Sequence, residues 1–119
     1  MSDKWVSQRA MVQQLKKPGK DVLHDLDAKR VDLWYAVTGI CTEAGELLDA
    51  IKKHVIYNKP LDLENVVEEL GDIEFYMEQV RQNVRVSRDN VVLANIEKLS
   101  KRYSNGYSDQ AAQARSDKS

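Results

Sequence analysis

Apolar residues recur along this 119-residue chain at three- and four-residue intervals, and no alternating pattern of the kind that builds a sheet persists. A first helix is predicted over 4–16, with Trp5, Gln8, Met11, Val12 and Leu15 on one face and 17-KPGK-20 ending it. A second helical region runs from Asp21 to about Val55, with a break near Ala28. The turn 58-NKPLD-62 follows; Asp62 is the N-cap of a third helix over 63–85, and Ser87 that of a fourth over 88–103. The segment from 104 onwards is polar, and its last ten residues are expected to be mobile. The expected architecture is all-α, an antiparallel bundle of four to five helices. It forms one domain over 1–108, followed by a polar tail over 109–119.

Composition narrows the picture without changing it. Only five glycines and two prolines punctuate the chain, and 42% hydrophobic with 31% charged residues describes a globular protein. Eighteen basic residues against nineteen acidic ones leave a net charge of −1, with no basic excess that predicts a nucleic-acid surface. The single cysteine, Cys41, excludes an intrachain disulfide and fits a reducing compartment. The polar start MSDKWVSQRA has no signal-peptide core, and the longest clean apolar run, 33-LWYAV-37, is too short to span a bilayer, so a cytoplasmic protein without membrane contact is expected.

The candidate chemistry sits in 42-TEAGELLDAIKK-53 and 66-VVEELGDIEFY-76. On a helical wheel, Ile40, Ala44, Leu47, Leu48, Ile51 and Val55 form the apolar stripe of the second long helix, with Glu43 and Glu46 on its flank. Leu63, Val66, Leu70, Ile73, Met77, Val80 and Val84 form that of the third, flanked by Glu69 and Asp72, with Tyr76 between their directions. Glu68, Glu74 and Glu78 point elsewhere. None of the four flanking carboxylates has a cation three or four residues away on its own helix, whereas Asp49 and Lys53 form an ordinary i,i+4 pair. The short linker makes the two helices antiparallel neighbours and gathers the carboxylates. Two explanations meet this crowding: a hard divalent cation held by oxygen ligands, Mg²⁺, Mn²⁺ or Ca²⁺, or pairing with Arg or Lys from other helices.

The spacing E-x-x-E, then 22 residues, then E-x-x-D resembles that of the MazG-like nucleoside triphosphate pyrophosphohydrolases, part of the all-α NTP pyrophosphatase superfamily. The likeness runs through 39–77 and returns at 95-NIEKLSKRYSNGYS-108. It implies that Glu43, Glu46, Glu69 and Asp72 are the metal ligands and catalytic carboxylates, that the cofactor is Mg²⁺ (Mn²⁺ being possible), and that an NTP or dNTP is cleaved between its α- and β-phosphates. It also implies dimers, often paired into tetramers.

Asn95, Lys98 and Arg102 share one face of the fourth helix and, with the resemblance, become phosphate-binding candidates; Lys53 is another, and Tyr76 is expected to line the pocket. Phe75 and the apolar face Val92, Ile96, Leu99 and Tyr103 exceed what four or five helices can cover, so at least a homodimer is expected, and the resemblance adds the homotetramer. The other functional class is a non-catalytic helical oligomerisation or interaction module whose carboxylates are paired by a partner's cations. His24 and His54 are expected to be structural or exposed, Cys41 a small packing residue, and Trp34 and Tyr35 core aromatics. Base and sugar selectivity are not legible.

Overall fold

The computed structural model describes residues 5–115. Among them are six α-helices and no strand: α1 Gln8–Leu15, α2 Gly19–Asp25, α3 Ala28–Val55, α4 Leu63–Val84, α5 Arg88–Arg102 and α6 Asp109–Ala114. Lys4, where the first helix is expected to begin, and residues 116–119 of the tail lie outside the described residues. No helix among the described residues is long and apolar enough to cross a membrane.

Local side-chain chemistry sets the boundaries. Ser7, Asp62, Ser87 and Ser108 each cap a helix by accepting a hydrogen bond from the backbone N–H three residues on, at 3.0–3.1 Å. The expected break falls at Asp27, whose Oδ1 accepts from the Arg30 N–H at 2.8 Å and opens α3. Arg85 ends α4 in the left-handed region at φ 60°, and the Val86 N–H returns to the Arg81 carbonyl at 3.0 Å, closing the last turn. After α3, Asn58 is also left-handed, and His54 Nδ1–H donates to the Lys59 carbonyl at 2.7 Å. His54 is thus structural, tying down the turn that sends α4 back along α3. The sixth helix forms inside the segment read as tail. It has no apolar stripe and rests on its Ser108 cap and on Asp109 in its first turn.

The chain divides into two compact units, residues 1–31 and 32–119. In the first, none of the described residues is buried, the Trp5 indole N–H donates to Gln14 Oε1, and the Arg30 guanidinium donates to the Asp25 carbonyl. The second holds the α3–α4 hairpin. Tyr35 pairs with Tyr76 edge to face at 6.2 Å between ring centres, and the Tyr76 ring lies over Gly39. The two helices are therefore antiparallel: 35 and 39 lie against 76, and 43 against 72 and 69.

That contact also decides which faces turn inward. On α3 they are Ala36, Gly39 and Ala50, buried, with Ile40, Glu43, Leu47 and Ile51 half-buried; Ala44, Leu48 and Val55, expected in the stripe, are exposed. On α4, Glu69 and Arg81 are buried and Val66, Ile73, Tyr76, Met77 and Val80 half-buried, while Leu63, Leu70 and Val84 are exposed. The true seam is rotated from the apolar stripe because the close approach is made where α3 is smallest. Three expectations fail here: Cys41 is exposed rather than packed, and Trp34 and Tyr35 are 70% and 59% exposed rather than core. No large side chain is fully buried among the described residues.

A Cβ at position 39 would stand 2.6 Å from Tyr76 Cγ, inside any tolerable contact, whereas one at Gly71 meets nothing within 4 Å. Gly39→Ala is expected to destabilise the chain by about 1–3 kcal/mol, because the ring backs onto α4 and moves only with it. Gly71→Ala is expected to be neutral or to stabilise by up to about 1 kcal/mol through helix propensity. Urea unfolding of the two variants tests the contrast.

Candidate metal centre

Gly39 is the first element of the site. Because it carries no side chain, Tyr76 can lie flat against α3, and the helices close on each other at this level. One turn further along α3 is Glu43; one turn back along α4 is Asp72, and Glu69 precedes it by three residues. Oxygens of Glu43, Glu69 and Asp72 all lie within 4.8 Å of one another. The three are graded in exposure: Glu69 is only 9% exposed, Glu43 half-buried and Asp72 open to solvent.

The cluster bears hardest on Glu69. Its pKa is raised from 4.5 to about 7, first by a hydrogen bond shared with Glu43, then by loss of hydration, then by the negative charges of Glu43, Asp72 and Glu46. Every charge acting on it has its own sign. One oxygen, Oε2, is buried without any hydrogen-bond partner. A buried carboxylate oxygen left this way is costly unless something outside the chain's own groups meets it. The donor set is all carboxylate oxygen, which suits a hard dication such as Mg²⁺, Mn²⁺ or Ca²⁺, so the residues present fit the implied metal.

The remaining predicted residues are placed less uniformly. Glu46 is exposed and stands outside the close trio, though its charge reaches Glu69. Tyr76 is half-buried, and its pKa is raised by a hydrogen bond with Tyr35, by Tyr35's charge, by burial, and by the charges of Glu43 and Asp72. Lys53 is exposed and pairs with Asp49 at 3.1 Å, as its spacing predicts. Asn95 and Lys98 are exposed on α5, and Arg102 is half-buried there. None of these cations is among the groups acting on Glu69.

Arg102 lines a concavity of about 470 Å³ with Ser104, Asn105, Ser108 and Gln110, which contains none of the carboxylates. A second, apolar hollow of about 320 Å³ is bounded by Ile40, Met77, Val80 and Val91, with the buried Arg81 at its edge. Arg81 Nε donates to Glu78 Oε1 at 2.9 Å, and Gln82 and Arg81 together hold the Glu78 pKa down. Tyr35 is the site neighbour that the sequence reading missed. Its signal was present: it precedes Gly39 by four residues and Glu43 by eight, on one face of α3.

These features define a class: an all-α protein with an all-carboxylate cluster in the seam of its central hairpin. Residues 36–107 match the family model of the MazG nucleotide pyrophosphohydrolase domain, a span that takes in more than half of the chain and every predicted site residue. The chain belongs to this family, whose members are nucleotide hydrolases that generally use divalent metals. No curated protein and no solved structure matches the chain.

The Glu69 shift predicts a pH dependence. Between about pH 4.5 and about 7, the folded chain keeps a proton on Glu69 that the unfolded chain has lost. Raising the pH through this window therefore lowers stability. In EDTA, melting temperature is expected to fall as pH rises over this range, and Glu69→Gln is expected to flatten the fall. A wild-type melt that does not change across the window would contradict the crowding of the trio.

Proposed function

We propose that this protein is a metal-dependent nucleoside triphosphate pyrophosphohydrolase, cleaving an NTP or dNTP between the α- and β-phosphates to give the monophosphate and pyrophosphate. The observation that carries the reading is the carboxylate trio with the unpartnered, buried Oε2 of Glu69 at its centre. Glu43, Glu69 and Asp72, with Glu46 beside them, would hold the cation, and Mg²⁺ is the proposed one. A bound dication supplies neutralisation of phosphate charge and a more acidic water. The chain's own part is to hold four carboxylates ready, and to orient the nucleotide by Tyr76 next to Asp72. Asn95, Lys98 and Arg102, spaced i, i+3 and i+7 on α5, are the proposed contacts of the triphosphate, with Lys53 secondary.

The protein is further proposed to act as a homodimer or homotetramer. In the single chain Phe75 is 65% exposed and Ile96 55%, and described residues with no fully buried large side chain among them gain an interior from a second copy. Sedimentation at micromolar concentration is expected to show at least a dimer; a monomer would contradict this.

A panel of NTPs and dNTPs with Mg²⁺, read for pyrophosphate, tests the activity. Monophosphate and pyrophosphate are expected in equal amounts; orthophosphate release would overturn the cleavage position, and no product with Mg²⁺ or Mn²⁺ would overturn the enzyme. Glu69→Gln is expected to lower activity at least about 100-fold, while Glu68→Gln, exposed and turned away, leaves it nearly unchanged. A cation bound only by the folded chain at about 100 times its Kd adds about 2.7 kcal/mol of stability. A melt with and without Mg²⁺ therefore separates wild type from Glu69→Gln.

A further inference from the structure

A stripe of large apolar side chains runs beside the seam of the α3–α4 hairpin and is left bare. Leu48 and Val55 on α3, and Leu63, Val67 and Leu70 on α4, are 49–69% exposed. Both halves of the stripe lie on one side of the hairpin. Ile40 and Met77 line the same hollow, and Leu70 and Leu63 precede Met77 by seven and fourteen residues on one helical face. Leu48 and Val55 follow Ile40 by eight and fifteen residues, within about 80° of its direction. From α5, Val91 reaches the hollow, while the stripe beyond it stays open. Asp72 points about 140° away from Met77 around α4, so the carboxylates open on the other side.

From Leu63 to Val84 α4 rises about 32 Å, and two helices side by side present a face about 20 Å wide, so this side of the hairpin measures about 600 Å². A stable pair of proteins needs about 500 Å² from each partner, and a chain that stays single seldom leaves so large an apolar face open. Resting on the homo-oligomer reading above, we propose that two copies of the chain meet here, each through this same face. The α3–α4 hairpins of the two copies then form a four-helix bundle, with Leu48, Val55, Leu63, Val67 and Leu70 inside it and the two carboxylate clusters on its outer sides. A face that pairs with itself closes at two copies by a twofold axis. Phe75 lies on the opposite side of α4 and takes no part.

The test is sedimentation of the full chain over a micromolar range of concentration. Leu48→Glu together with Val67→Glu puts two charges into the joint from each copy. The pair is expected to halve the wild-type assembly, raising the Kd of this joint at least about 100-fold. Both positions are open in the single chain, so helical circular dichroism is expected to be retained. Leu48→Lys with Val67→Lys is expected to act in the same way. An equal mixture of the Glu pair and the Lys pair is expected to recover the wild-type size, one copy of each meeting across the joint, which requires the same face on both sides.

A Glu pair that sediments as wild type overturns the proposal while leaving the homo-oligomer standing; Ile96→Glu splitting the assembly in its place would move the joint to α5. Glu and Lys pairs that both split the assembly and stay apart on mixing overturn the pairing of like faces. A wild-type monomer overturns the homo-oligomer reading and this proposal with it.

Discussion

Two helices approach closely only where one of them gives up its side chain, and in this protein that place is Gly39. The Tyr76 ring fills the space, and the register of the whole hairpin follows from it. With Tyr76 opposite 39, Asp72 and Glu69 come level with Glu43, and three carboxylates meet within hydrogen-bonding range of a common point. The site is thus a by-product of packing, and the packing is kept despite the repulsion it imposes. Such a local conflict with stability is a pattern expected at functional sites.

Helix α4 shows the difference between a buried charge that is satisfied and one that is not. Arg81 is as deeply buried as Glu69, yet its guanidinium meets Glu78 three residues earlier, and Glu78 is held in turn by Gln82. The arrangement is complete within one helix. Glu69 has no counterpart of that kind; the groups acting on it are carboxylates, Glu43 first, and they push its pKa up. One end of the helix is closed on itself; at the other, every charge acting on the buried carboxylate is negative.

The boundaries of the fold were legible because helix ends are written in short-range chemistry. Asp62 and Ser87 cap where their side chains allow, whatever the rest of the chain does. The helix α6 escaped notice because a six-residue polar segment carries no periodicity, and its Ser108 cap was the one sign of it. The lack of cations at helical spacing singled out Glu43, Glu46, Glu69 and Asp72, and the structure gathers three of them and leaves Glu46 outside the close trio. Their placement was not: the apolar wheel set Glu43 and Glu69 on the flank of a stripe, whereas the seam runs through them. Hydrophobicity assigns a face only to within the width of that face, and the small residues Ala36, Gly39 and Ala50 decide the rest by letting the helices touch. Trp34 and Tyr35 were misplaced for the same reason, since aromatic character was taken for burial.

The one thiol in the chain, Cys41, lies on the outward side of α3, two residues before Glu43 and two after Gly39. A maleimide reagent will therefore mark each chain once, at a known point on the hairpin and clear of the carboxylates. Paired spin labels attached there will measure the distance between copies in any assembly, without a single engineered residue.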